Sequence, residues 1–347
     1  MIGDNNMMSF LLPLGMVIVG LALLSKGSDF FVDGASNIAS KMGISEMIIG
    51  LTLVAFGTSL PEWIASIIAT LRDPSELQCP PNLTCYITDL ALGNVIGSNI
   101  TNVGLGIGLV GLLLKDGIKV QASFLMKDVP LLIIISIFSW YFSMQGSQVS
   151  RIEGIILFVT FVAVLLHTVK DLFAEANPDE SNENESNDGD RTTQEQENSS
   201  ESMGKNIAIT IGGLLALLIG SQLLVDGASD MALQIGISEQ IVGITMVAFG
   251  TSVPELATSI AAGRKGKHDM LLGGIIGSNT ANLAVILGSV AFLVPVNVND
   301  STIQMQFPVM MGMSILLWVF MLNHHIHRWQ AGMLLLAYLG FTVSLFF

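Results

Sequence analysis

The nine residues Val54-Ala-Phe-Gly-Thr-Ser-Leu-Pro-Glu62 occur again as Val247-Ala-Phe-Gly-Thr-Ser-Val-Pro-Glu255, 193 positions further along the chain. At the same offset, Asp33-Gly-Ala-Ser returns as Asp226-Gly-Ala-Ser and Gly43-Ile-Ser-Glu as Gly236-Ile-Ser-Glu. Gly97-Ser-Asn99 returns as Gly277-Ser-Asn279 at an offset of 180, the difference being taken up by a longer hairpin around Cys79, since loops tolerate insertion. A chain with this pattern has to fold as two like halves.

The medium those halves fold in follows from composition: 51% of the 347 residues are hydrophobic and 12% charged, a balance suited to lipid rather than water. Apolar stretches near the length of about 20 residues that a helical span needs lie at 10–39, 44–71, 87–114, 121–144, 151–170, 206–234, 237–263, 269–295, 305–322 and 329–346. The expectation is an all-α integral membrane protein with ten transmembrane helices, five in 1–170 and five in 206–347. Because five is odd, the second copy enters the bilayer from the side opposite to the first. Inverted repeats of this kind enclose a midplane site in many secondary transporters, where exchanging the conformations of the two halves opens one site to either side in turn.

The formal charge of -14 is mostly local, since 171–201 alone contains eleven carboxylates. From 177 to 202 there is no aliphatic or aromatic side chain, so 171–205 is expected to be a disordered acidic linker. Lys and Arg are distributed unevenly over the connections. Eleven (Lys41, Lys115, Lys119, Lys127, Lys170, Arg191, Lys205, Arg264, Lys265, Lys267 and Arg328) fall on one side, against Arg72 and Arg151 on the other. The excess puts the acidic loop in the cytoplasm and both termini outside. The first apolar run has no basic residue before it and is expected to remain as a span. Cys79 and Cys85 lie in an outer hairpin at a spacing that suits a disulfide. Sequons at Asn82 and Asn299 face the same side. His324, His325 and His327 stand beside Arg328 at a helix end, where an interfacial cap is the expected role.

Glu62 and Glu255 interrupt apolar spans, and no Lys or Arg occurs in 42–71 or 206–263 to neutralise them. A carboxylate is costly at membrane depth, so the pair marks a functional site. Thr58 and Ser59 precede Glu62 by four and three residues and share its helix face, as Thr251 and Ser252 do with Glu255. Pro61 and Pro254 each lack an N–H and crowd the carbonyl four residues back, so each helix should break there. Hydroxyls, carboxylates, amides and freed carbonyls are ligands for Ca2+ and for the similarly sized Na+, although Thr and Ser also bond back to their own helices. Ser98 with Asn102, and Ser278 with Asn282, add oxygens at i and i+4.

Gly-Thr-Ser-Leu-Pro-Glu with Gly-Ser-Asn-Ile-Thr-Asn, doubled as Gly-Thr-Ser-Val-Pro-Glu with Gly-Ser-Asn-Thr-Ala-Asn, resembles the α-repeats of the cation/calcium exchanger superfamily, and most of all its prokaryotic sodium/calcium exchangers. The resemblance covers nearly the whole chain outside 171–205. It implies a secondary transporter rather than an enzyme, with no cofactor and no nucleic-acid partner, working as a monomer in the lipid of a plasma (inner) membrane. It also implies that Thr58, Ser59, Glu62, Thr251, Ser252 and Glu255, joined by Ser98, Asn102, Ser278, Asn282 and the carbonyls of Ala55 and Ala248, bind Ca2+ and Na+ in competition. The long first and sixth helices would slide past this ligand bundle. Some relatives have Asp where this chain has Asn282. With two carboxylates and two neutral amides, one Ca2+ is balanced in charge and three Na+ leave one positive charge over. This pattern favours K+-independent, electrogenic exchange by alternating access. The large cytoplasmic calcium-sensing domains of animal relatives are absent, because the central loop is too short and polar to fold into one.

Two other functions fit the same residues. Neighbouring carboxylates take up protons as well as metal ions, which makes H+/Ca2+ antiport the alternative. A receptor or scaffold using the acidic loop for docking is the reading from a different class.

Overall fold

The computed structural model describes residues 3–71, 87–176, 202–237 and 250–345. The first repeat opens with a 40-residue helix, Gly3–Met42, and the second with a 32-residue helix, Met203–Gln234. At 1.5 Å per residue the first is about 60 Å long, twice the roughly 30 Å hydrocarbon core, so it extends well past the lipid or crosses it steeply tilted. Each helix ends where the repeated Gly-Ile-Ser-Glu begins. Gly43 (φ +68°) and Gly236 (φ +91°) take the left-handed conformation, which costs glycine nothing. The following N–H groups then turn back, Ile44 to the Ala39 carbonyl and Ile237 to the Ala232 carbonyl, both at 3.0 Å, closing the helix ends. Ser45 then caps the next helix by accepting from the Ile48 N–H.

The two long helices pack antiparallel along most of their length, as an inverted repeat requires. Gly20 lies against Gly220 and Gly27 against Gly213, while Gly34 meets Thr210 and Gly227 meets Pro13 and Met16; on both helices the glycines recur every seven residues. A methyl group added at Gly27 would lie 2.9 Å from the Leu217 amide nitrogen, and one at Gly213 would lie 2.5 Å from that of Phe31. Backbone therefore meets backbone, the close approach by which small residues hold helices together in lipid, where hydrophobic attraction is missing.

Seven helical segments of the described residues are long and apolar enough to cross a membrane: 10–42, 46–68, 91–113, 124–144, 203–234, 268–293 and 302–321. Of the other three expected spans, 151–170 lies in the helix Arg151–Ala176 and 329–346 in the 17-residue helix Arg328–Ser344. The third, 237–263, is described at 237 and from 250 onward, where it contains most of the helix Val253–Arg264. The two helix ends that border the linker differ from expectation. Arg151–Ala176 continues past residue 170, and Met203–Gln234 begins before 206 because Ser202 caps it, accepting from the Lys205 N–H at 3.2 Å.

The middle of the molecule is formed by 268–293, buried without a break from Met270 to Gly288, and by its repeat partner 91–113. Each changes from α- to π-helical turns at the equivalent asparagine, over Asn102–Ile107 and Asn282–Ile286. Further π-helical turns occupy Gly50–Val54, Phe124–Asp128 and Thr302–Gln306. The wider turn alters which residues face inward, and such turns are common at functional sites. Gly273 and Gly277 let the central helix lie directly on 47–55: a methyl at Gly277 would meet the Leu51 carbonyl oxygen at 2.7 Å.

Two short antiparallel ladders that the helical pattern does not announce join the halves: Ile118↔Ile326 with Lys119↔His325, and Gln148↔Asn297 with Val149↔Val296. At the first ladder's end of the bundle, where Gln121 reaches Asp269, Lys267 pairs with Glu46 at 2.6 Å. Lys265 pairs there with Asp33 at 2.7 Å, tying the first long helix to the turn before the central span. His327 caps the last helix in a mutual arrangement with Gln330, and the His325 and His327 rings touch at 4.5 Å. Asn299 is exposed and caps the segment after it, accepting from the Thr302 N–H at 2.7 Å. Cys79, Cys85, Asn82, Ala248 and most of the acidic linker lie outside the described residues.

Candidate cation site

The prolines break the helices at the expected places. The helix Ala55–Thr58 stops at Ser59 (φ -82°, ψ 4°), and a new one runs from Leu60 to Leu71. Ser252 has the same conformation (φ -87°, ψ 0°) immediately before the helix Val253–Arg264. The break places Glu62 and Glu255 in the first turn of a new helix, the end where unpaired N–H groups favour negative charge.

Both carboxylates point inward, Glu62 0% and Glu255 3% exposed, and they are near enough for the charge of one to act on the other. Their hydroxyl neighbours come from both repeats. Ser59 donates to Glu255 Oε1 at 3.1 Å, and Thr58 lies against the same carboxylate. Ser98 donates to Glu62 Oε1 at 3.5 Å, and Thr251 adjoins it. Ser252 reaches Ser98, oxygen to oxygen, at 3.1 Å. Ser278 donates to the Ala55 carbonyl at 3.2 Å, so both groups stand together. Thr58 also bonds back to the Val54 carbonyl of its own helix at 3.0 Å. Eight of the expected side chains thus meet with the Ala55 carbonyl; Asn102 and Asn282 are buried on the two central helices, four residues after Ser98 and Ser278, and Ala248 lies outside the described residues.

Three buried oxygens in this cluster lack a hydrogen-bond partner among the described residues: Glu62 Oε2, Glu255 Oε2 and Asn282 Oδ1. Buried acceptors are ordinarily satisfied, and leaving one bare costs about 1–3 kcal/mol, more for a charged group. Nor does any basic side chain offset the carboxylates among the described ion pairs, all of which involve Lys265 or Lys267 at the bundle end. An arrangement of bare acidic and amide oxygens, surrounded by hydroxyls and carbonyls, has the chemistry of a hard-cation site.

Three asparagines at the site were not marked by the sequence reasoning. Asn94 donates to the Glu62 carbonyl at 3.2 Å and to Ser66 Oγ at 3.1 Å, and accepts from Thr251 at 3.0 Å. Its repeat position is Gly274, so no recurrence pointed to it. Asn99 and Asn279 hydrogen-bond to each other across the halves. Their recurrence in Gly-Ser-Asn was a usable signal, but their spacing from Ser98 and Ser278 places them off the ligand face.

Comparison with known proteins identifies the family. The family model described as sodium/calcium exchanger protein matches residues 12–170 and 205–347. The chain belongs to the sodium/calcium exchanger family. It is 31% identical to the sodium/calcium exchanger MaX1 of Methanosarcina acetivorans over 96% of this chain and 98% of that one. To an uncharacterized membrane protein of Methanocaldococcus jannaschii it is 35% identical, over 96% and 98%. The solved structure of the sodium-calcium exchanger NCX_Mj soaked with Na+ and Sr2+ superimposes with a TM-score of 0.78 at 32% identity, covering 96% of this chain and 99% of that one. As a member of this exchanger family the protein is a multi-pass membrane transporter rather than an enzyme, and its cargo class is cations including Ca2+.

Proposed function

We propose that this exchanger moves Ca2+ against Na+ by alternating access, electrogenically and without K+, through a site built from Thr58, Ser59, Glu62, Ser98, Asn102, Thr251, Ser252, Glu255, Ser278 and Asn282 with the carbonyls of Ala55 and Ala248. The observation that carries the proposal is the pair of buried carboxylates with bare Oε2 atoms and no basic partner among the described residues. Neither a structural ion pair nor a polar packing contact accounts for them. Ca2+ neutralises both charges, whereas Na+ ions occupy the same oxygens in its place. Sharing of ligands makes the two cargoes exclusive, and exclusivity couples them: each face of the cycle is reached only with one or the other bound.

Neutral amides at 102 and 282 keep the site at two negative charges. Two positive charges inward and three outward then move one net charge per cycle. The proposed arrangement in the membrane has ten spans in the segments 1–170 and 206–347, both termini outside, and the linker within 171–205 cytoplasmic, as the Lys and Arg distribution directs.

The test is Na+-driven 45Ca2+ uptake into proteoliposomes. Loading with Na+ supports uptake, an inside-positive potential accelerates it because net positive charge leaves, and K+ is without effect. Glu62→Gln and Glu255→Gln reduce uptake to background while the purified proteins keep their elution profile and melting temperature. Uptake driven by a pH gradient in the absence of Na+ would replace the proposal by proton antiport.

A further inference from the structure

We propose that Asn99 and Asn279 are positioning residues that turn the amide oxygens of Asn102 and Asn282 toward the transported cation, each acting on the opposite repeat. This rests on the cation site described above. An asparagine side chain is useful to a cation only by its oxygen, yet its oxygen and nitrogen exchange places on a half-turn about the last bond. The presented atom has to be selected by something that only accepts or only donates.

The structure contains such a selector. Asn282 Nδ2 donates to Asn99 Oδ1 at 2.9 Å, and Asn102 Nδ2 donates to Asn279 Oδ1 at 3.0 Å. Asn99 and Asn279 are themselves fixed in polarity, because each Nδ2 donates to the other's backbone carbonyl, at 3.1 and 3.3 Å. A backbone carbonyl cannot donate, so the chain of orientation ends on groups that have no second setting. All four asparagines are buried, at most 2% exposed. With its nitrogen committed, Asn282 is left with a buried Oδ1 that has no partner among the described residues. The wiring is crossed: Asn99 of the first repeat sets Asn282 of the second, and Asn279 sets Asn102. The same four bonds hold the two central helices together where their π-helical turns begin.

A carboxylate offers oxygen in both settings and needs no selector, which gives the test its form. Asn99→Ala raises the apparent KM for Ca2+ in Na+-driven uptake by about ten- to a hundredfold, the usual cost of losing a residue that orients a metal ligand. Adding Asn282→Asp returns the KM to that of the Asn282→Asp protein, and adding Asn102→Asp does not. For Asn279→Ala the pattern reverses: Asn102→Asp rescues and Asn282→Asp fails. Rescue by either aspartate alike, or by neither, overturns the proposal, because residues that only held the helices together would show no such pairing. Glu62→Gln, run alongside, separates the two readings, since activity in that variant refutes the cation site itself. If the alanine variants do not fold, crystals of the unaltered protein soaked in Sr2+ decide. The anomalous peak must contact the Asn282 amide atom remote from Asn99, and contact with the other atom, or none, overturns the assignment.

Discussion

Gly212 and Gly213 are adjacent on the second long helix, and an alanine at each should act in opposite directions. Gly213 is buried, and an added methyl carbon would fall 2.5 Å from the Phe31 nitrogen, 2.8 Å from the Gly27 carbonyl oxygen and 2.9 Å from the Phe31 Cα. All three are backbone atoms and cannot move aside without the helix, so restoring ordinary contact near 3.5 Å means parting the long helices by up to about 1 Å. Overpacking of that kind costs about 1–3 kcal/mol. Gly212 is exposed, with nothing within 4 Å of the same methyl among the described residues. There alanine only removes the backbone freedom of glycine and gains about 0.5–1 kcal/mol. That backbone gain is common to both positions of the helix, so the two substitutions should differ by the clash alone, roughly 1–3 kcal/mol. Thermal unfolding in one detergent, followed by tryptophan fluorescence, measures the difference. Equal melting temperatures, or a more stable Gly213→Ala protein, would refute the close backbone packing of the two helices.

Gly277→Ala should be destabilising by about 1–3 kcal/mol. It should also lower Ca2+ uptake more than an exposed control such as Gly312→Ala, because it pushes the Ser278 helix off the Ala55 carbonyl. Trp63→Phe removes the indole N–H that donates to Ser289 at 3.0 Å and should cost about 1 kcal/mol by thermal unfolding, with uptake retained. Lys267→Gln breaks a partly exposed pair with Glu46, so it should cost under about 1 kcal/mol, and the loss should shrink in molar salt. Ser59→Ala deprives Glu255 of a hydroxyl neighbour and should raise the KM for Ca2+ while leaving the melting temperature within a few degrees.

Much of the site was legible because it is written twice. Recurrence of Pro-Glu and Gly-Ser-Asn at matched offsets identified both carboxylates, the hydroxyls beside them and the helix breaks at Ser59 and Ser252, each of which depends on local chemistry. Apolar run lengths located most spans, and an odd number per half implied the antiparallel pairing of the long helices. Asn94 escaped notice because its counterpart is Gly274, and the short ladders because two residues are too few to leave a pattern.

The sequence by itself determined the medium, the doubling and the pair of acidic groups, since a buried carboxylate without a basic neighbour and a glycine forced to positive φ are properties of a few adjacent residues. Only the tertiary structure decided which hydroxyl meets which carboxylate, that Asn99 faces Asn282 rather than Asn102, and that glycines seven apart on two distant helices form one seam. Those contacts join residues about 180 to 200 positions apart, and their partners are chosen by how helices cross in three dimensions, a geometry that no local spacing encodes.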